Sequence, residues 1–417
     1  MRKNKKINLI IFVEGTFLLA FDGYSLTMSN ICRILDKEER INLTLIHCYR
    51  GWSDIEILKK QNYKIILVSP ETYYHGTEKI IKLLKRKPDI VQMQDAELIL
   101  SQGVRLKNYY KCKLIFHPLY VAYKVAEKLN IKKSAKLIVA QKEEEVCKHV
   151  DVVFCFTEYD KNYFVKNYHC PKGKIILVRP VIYDGLAKFK YPSKNKRNII
   201  FVGNLFFQAN LDTLRVLLKK IYPKIKDIID KVYVLGDSPT NALTDYKDDR
   251  KIKMVGRVKD IYEYLHDSNL AIFPILEASG IRTKILTCFV VGTPVIGSKA
   301  AFEGLQENRL INFLIGDNQQ LIKKAREILV DSNLQKKISK EQKEYFDRHF
   351  RNSFLQKDYL KKYKKVLNTR QKRNNFTVFM KKFKFSEPAW LQEFKLKKKL
   401  KYFYKKLKLP VIINEKR

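Results

Sequence analysis

One stretch of the chain combines residue types and spacing suited to anion chemistry. The apolar run Leu270–Pro274 is followed by a loop containing Ser279 and Gly280. Arg282 and Lys284 come next and open an apolar helical stretch that runs to Val290. Backbone N–H groups at a helix N-terminus attract anions, and glycine lets a ligand approach the backbone closely. Two cations in a first turn oppose the helix dipole, so the pair is mildly unfavourable until an anion arrives. A diphosphate would supply that anion; a solvated basic turn is the other reading of the same residues. His117 closes a second apolar run, Lys113–His117, at its carboxyl end. A ligand contact and a loop histidine satisfied by backbone are both open there.

These residues must be held by strands and helices, and the hydrophobic pattern supplies both. Short continuous apolar runs read as buried parallel strands at Ile7–Val13, Leu43–His47, Lys64–Val68, Ile90–Gln92, Lys113–His117 and Val152–Phe156. Amphipathic stretches such as Ser29–Leu35, Glu78–Leu84 and Leu119–Leu129 lie between them. A turn-rich stretch, Tyr183 to Arg197, reads as a linker. The alternation then restarts, with strands at Asn198–Val202, Lys231–Leu235, Lys251–Val255, Leu270–Pro274 and Thr293–Gly297. Helices are expected at Asp212–Tyr222, Ile261–Leu265, Arg282–Val290 and, last, Asn318–Ser332. The fold class is α/β, with two doubly wound Rossmann-like domains, 1–190 and 191–355. Such domains bind ligands beyond the carboxyl ends of their strands, and in tandem they would do so in the cleft between them. A basic, amphipathic C-terminal extension, 356–417, follows.

Composition narrows the class. The 417 residues carry 83 Lys and Arg against 43 acidic residues, a formal charge of +40. That balance favours anionic partners: nucleic acid, acidic lipid or phosphorylated small molecules. A hydrophobic fraction of 46% excludes a mainly disordered chain. The seven cysteines form no CxxC pair and the seven histidines no HExxH, so no metal site and no disulfide framework is expected. Reduced thiols suit a cytoplasmic protein. The basic start, Met1 to Lys6, followed by Ile7–Val13 imitates a signal peptide, but Glu14 and Gly15 interrupt the apolar run, and a buried strand is the better reading.

Four motifs in order carry a resemblance. They are Phe201-Val-Gly-Asn204, then Val255-Gly-Arg-Val-Lys-Asp260 with Leu265, then Ser279-Gly-Ile-Arg-Thr-Lys-Ile-Leu286, then Gly292-Thr-Pro-Val295 with Glu303-Gly-Leu305. Together they resemble the GT-B glycosyltransferases of the group 1 (family 4-like) type. The likeness covers roughly residues 7–350 and is specific within 198–305. It implies a nucleotide-sugar donor held mainly by the second domain and an acceptor held mainly by the first. It also implies a retaining, metal-independent transfer without a cofactor. Carried over by position, Arg282 and Lys284 would hold the diphosphate, and His117 would reach the transferred sugar. Gly203 and Asn204 would line the cleft floor, and Gly256, Arg257 and Val258 would border the base. Gly23, in Asp22-Gly23, would let a first-domain loop approach the donor. Ser279, Gly280 and Glu303 complete the donor side.

One position departs from the family. A glutamate that grips the ribose diol is usual where this chain has Thr287. A hydroxyl makes weaker hydrogen bonds than a carboxylate, about 1 kcal/mol against roughly 1.5–3. Glu277 could substitute, or stand as a surface carboxylate. The departure leaves open a non-catalytic glycosyltransferase-like subunit. A nucleic-acid binder is the reading that charge alone suggests, yet no recognition motif appears and no nucleic acid is expected.

The last 62 residues hold 21 Lys and Arg against 4 acidic residues. Within them Ser386–Lys408 reads as a helix with Trp390 near its start and Leu396, Leu400, Phe403 and Leu407 on one face. An anionic membrane surface, carrying a glycan or lipid-linked acceptor, is the expected partner of this stretch. Packing of the same stripe against the first domain is the alternative.

Overall fold

The computed structural model of the chain describes residues 5–14, 23–49, 55–128, 132–182, 188–239, 244–246, 248–258, 260–276, 280–370 and 410–414. Seven apolar runs of the first part form parallel strands: β1 (Ile7–Val13), β2 (Ile41–Cys48), β3 (Lys64–Val68), β4 (Ile90–Met93), β5 (Lys113–Phe116), β6 (Val152–Cys155) and β7 (Ile175–Leu177). They pair with β1 flanked by β2 and β4, so the strand order reverses direction at β1. The strands are buried almost throughout, as expected for a sheet covered on both faces. The helix α1 (Gly23–Asp36) leads back from β1 to β2.

The second part forms its own parallel sheet from β8 (Ile199–Val202), β9 (Val232–Leu235), β10 (Ile252–Gly256), β11 (Leu270–Phe273) and β12 (Val295–Gly297), in the order β10-β9-β8-β11-β12. Its helices include α2 (Gln208–Val216), α3 (Thr283–Val291), α4 (Asn318–Val330) and α5 (Ser332–Phe350). The expected helix Asp212–Tyr222 starts earlier and changes character: α2 passes into a π-turn at Leu217–Ile221, and a short 3-10 turn containing Pro223 ends it. The expected last helix, Asn318–Ser332, stops at Val330. Asp331 then caps α5 by accepting from the N–H groups of Asn333 and Leu334.

The chain divides into two compact units, with one break at 179/180 and the other at 354/355. One unit is Met1–Arg179 with Leu355–Arg417, and the other is Pro180–Phe354. Lys190 belongs with the second unit because its N–H donates to the Val291 carbonyl at 3.0 Å. The described residues after 355, 355–370 and 410–414, group with the first unit. The helix α6 (Asn352–Leu367) buries Leu355, Tyr359, Leu360, Tyr363 and Val366, and it is tied to the first unit by Tyr359, whose hydroxyl donates to the Arg179 carbonyl at 2.9 Å. A short strand, β13 (Val411–Ile413), then pairs antiparallel with β3 and covers that edge of the first sheet. The expected helix Ser386–Lys408 and its apolar stripe lie outside the described residues. All seven cysteines are buried free thiols.

Candidate functional site

The second sheet reverses its strand order at the β8/β11 boundary, with β9 on one side of β8 and β11 on the other. In open α/β sheets, ligands bind beyond the carboxyl ends of the strands at such a point. Three glycines shape this end of the sheet. Gly203 follows β8 and donates to the Leu235 carbonyl at 2.9 Å, and the N–H of Gly236 donates to the Gly256 carbonyl at 2.8 Å. Gly236 has φ +127°, and a Cβ there would lie 2.1 Å from the Gly203 carbonyl oxygen. No other residue fits so close an approach. Asp237, next in the chain, accepts from the Leu205 N–H at 2.7 Å and from Arg257 Nη2 at 2.6 Å. Arg257 is therefore engaged by a carboxylate.

Lys284 lies at the switch point itself. Its Nζ is 5.3 Å from the ring centroids of both Phe201, on β8, and Phe273, on β11. Its hydrogen-bond partner is the Asn210 side-chain oxygen, at 3.0 Å. Asn210, on α2, also donates to the Asn204 carbonyl at 2.9 Å, so one amide orients both the cation and the loop after β8. A Cβ on Gly203 would lie 3.1 Å from Lys284 Nζ, which places Gly203 and Lys284 side by side. Burial pushes the Lys284 ammonium down to about 7, and the nearby Arg282 charge adds to the effect. Arg282 is the N-cap of α3 and makes no side-chain cap bond, and the first turn of that helix has no acid. The helix ends at Gly292, whose φ of +90° closes its last turn against the Cys288 carbonyl.

The remaining expected residues divide. Gly203, Asn204, Gly256 and Lys284 stand together at the strand ends, with Arg282 at the start of α3. Gly256 ends β10 with φ +74°, and Val258 follows two residues later. Gly280 has φ +75° and is buried. Glu303 follows a 3-10 turn, Lys299–Phe302, beyond β12. Thr287 faces inward and is only 7% exposed, and its hydroxyl donates to the Thr283 carbonyl of its own helix at 2.9 Å. Glu277 and Ser279 lie outside the described residues. In the first unit Gly23 is the first residue of α1 and has open space at its Cα. His117 lies just past β5 and is fully buried, with Nδ1 3.1 Å from Gln92 Nε2. Burial pushes its imidazole down to about 3, with Lys362 adding to the shift. Asn210, Gly236, Asp237 and Gln92 carried no motif. They are found only once the strands are laid side by side.

Known proteins match this architecture. Residues 196–331 match the family model described as glycosyl transferases group 1. A curated relative, an uncharacterised 44.6 kDa protein of the cps region of Klebsiella pneumoniae, is 29% identical over 220 residues, covering 49% of this chain and 53% of the relative. The chain thus spans about half the length of the curated relative it matches. Among solved structures, Anabaena HepE in complex with UDP and glucose superposes with a TM-score of 0.65 at 11% identity, over 85% of this chain and 99% of that one. A glycosyltransferase from Rickettsia africae gives 0.64 at 16% identity, over 87% and 99%. WaaG, a glycosyltransferase of lipopolysaccharide biosynthesis, gives 0.59 at 14% identity, over 84% and 98%. At these identities the likeness establishes the GT-B fold.

Proposed function

We propose that this chain, whose residues 196–331 belong to the group 1 glycosyl transferases, moves a sugar from a nucleotide-sugar donor to a glycan or lipid-linked acceptor in cell-surface polysaccharide synthesis. One observation carries the reading. Lys284 sits over the last aromatic residues of the two central strands, held by a neutral amide, beside Gly203. With Arg282 at the N-cap of α3, it forms a cationic cradle of diphosphate chemistry. As the bond from anomeric carbon to phosphate oxygen breaks, negative charge grows on the diphosphate. Fixed cations and helix N–H groups stabilise that charge more in the transition state than in the donor. The protein's own cations do this work, which supports transfer without a metal; retention at the anomeric carbon is what the family resemblance implies. UDP is the first donor nucleotide to test, because HepE was solved with it. The acceptor is held by the first unit. No described helix is long and apolar enough to cross a membrane, and contact with an anionic membrane surface through the basic C-terminal residues completes the proposal.

The test is incubation of the purified chain with radiolabelled nucleotide sugars, UDP-sugars first. Sugar transfer or donor hydrolysis supports the reading. No binding to any nucleotide sugar overturns it.

A second reading has its own observation. Thr287 spends its hydroxyl on its own helix, where the family places a ribose-binding carboxylate. A chain that binds a nucleotide sugar without turning it over, as a non-catalytic subunit, fits that feature. Donor binding without hydrolysis or transfer in the same assay would favour it.

A further inference from the structure

His117 is the inner end of a buried polar chain that reaches from the first sheet to the returning helix. Tyr363, on α6, is fully buried, and its hydroxyl is 2.8 Å from Gln92 Oε1 although the two residues are 271 positions apart. Gln92, on β4, is also fully buried, and its Nε2 faces His117 Nδ1 at 3.1 Å. Phe154 packs edge-on to the imidazole and tilted to the Tyr363 ring, and Phe156 covers the imidazole from another edge.

Hydrogen-bond direction follows from donor counting. The Tyr363 hydroxyl has one hydrogen to give, and Gln92 Oε1 is its acceptor among the described residues. That fixes the Gln92 amide with Nε2 toward the histidine. An amide N–H can only donate, so His117 Nδ1 must be the bare acceptor nitrogen, and the ring proton must sit on Nε2. The reversed amide would strand the tyrosine proton in the interior, where an unmatched donor is costly. His117 Nε2 is buried and has no partner among the described residues.

We propose that Gln92 and Tyr363 are positioning residues that hold His117 as a neutral Nε2–H donor for an acceptor oxygen of the bound ligand. Taken with the transfer reading above, on which this part rests, that oxygen is a hydroxyl of the transferred sugar. His117 then orients the sugar and neither gives nor takes a proton. Its strongly lowered pKa, caused first by burial, agrees with that role. The C-terminal return of the chain thereby acts on a residue of the first sheet.

The test reads the tautomer directly in the ligand-free full-length protein. The chain is labelled with 15N in its histidine rings, and long-range 1H–15N spectra are recorded at pH 7. His117→Ala assigns the resonance among the seven histidines. The wild type should show the Nε2–H pattern. Tyr363→Phe removes one hydroxyl and frees the amide to reverse, so both tautomers should appear. Gln92→Glu puts an acceptor beside Nδ1, so a proton should move there. In transfer assays Gln92→Glu should lower kcat/KM about tenfold, with melting within a few degrees of wild type. An Nδ1–H pattern in the wild type, or an unchanged Nε2–H pattern in both variants, overturns the proposal. The two readings separate cleanly. An inactive wild type with the Nε2–H pattern sinks sugar transfer and supports the positioning of His117 by Gln92 and Tyr363, whereas an active enzyme with the Nδ1–H pattern sinks that positioning alone.

Discussion

Lys284 Nζ is bonded to the Asn210 side-chain oxygen at 3.0 Å, so a buried cation is held in place by a neutral group. A carboxylate in that position would neutralise the lysine within the protein. An amide orients the ammonium but leaves its charge without a carboxylate partner among the described residues, and desolvation lowers its pKa. The arrangement costs stability in the free protein and is relieved by an arriving anion. Arg282, close enough to depress the lysine further, adds to that cost and to the pull on the same anion.

The first prediction follows from that buried charge. Arg282→Ala and Lys284→Ala should each lower turnover by roughly 30- to 1000-fold, the loss of about 2–4 kcal/mol of transition-state stabilisation. Thermal unfolding of Lys284→Ala should hold or rise, since the buried lysine charge costs stability in the empty site. Steady-state kinetics and a melting scan on the same samples check both halves. Wild-type turnover in both variants would place the diphosphate elsewhere.

Asn210→Asp tests the neutral partner. The new carboxylate pairs with Lys284, raises its pKa and competes with the donor phosphates. Affinity for UDP should fall by about tenfold, near 1.4 kcal/mol. Titration calorimetry measures it. Tighter or unchanged binding would show that Lys284 does not face the diphosphate.

The depressed Lys284 pKa sets a pH dependence with a definite sign. In the free protein the ammonium is charged below about 7 and loses its proton above it. A bound diphosphate raises the pKa, so binding above pH 7 must take up a proton. Affinity for a UDP-sugar should therefore level off below pH 7 and fall as pH rises, by up to tenfold per unit. Calorimetry at pH 8 in two buffers of different ionisation enthalpy should reveal net proton uptake. Lys284→Arg, charged throughout, should abolish it; equal uptake in that variant would assign the proton to another group.

The basic C-terminal residues give the last prediction. Residues 371–409 hold 13 Lys and Arg against 2 acidic residues, and the described residues on either side of them, α6 and β13, both belong to the first unit. Each lysine near an anionic leaflet contributes about 1 kcal/mol. Truncation near Thr369 would also strip β13 from β3 and expose that sheet edge, so charge removal is the cleaner test. The full chain should float with anionic vesicles at low salt and less at high salt. A variant with Lys395, Lys397, Lys398, Lys399 and Lys401 changed to Gln should stay behind. Equal flotation of the two would remove the membrane surface from the proposal.

The two doubly wound sheets were legible in the sequence because buried parallel strands leave a local mark. Ile7–Val13 and Val152–Cys155 are short, mainly apolar runs whose residues are buried almost throughout. The start of α3 was legible for the same reason: Arg282, Lys284 and the apolar run behind them lie within a few positions of one another. Asn210, Gln92 and Tyr363 left no such mark. Asn210 reaches Lys284 across 74 positions and Tyr363 reaches Gln92 across 271. A single Asn in a helix start or a Tyr on an apolar helix face looks the same whether or not it meets a partner. The return of the chain onto the first unit was hidden likewise, since β13 is three residues long and gains its meaning only from the edge of β3. Local sequence determined which segments are buried and which turn carries positive charge. Tertiary packing alone decided which distant polar groups satisfy one another, because a hydrogen bond depends on separation in space, and periodicity records only separation along the chain.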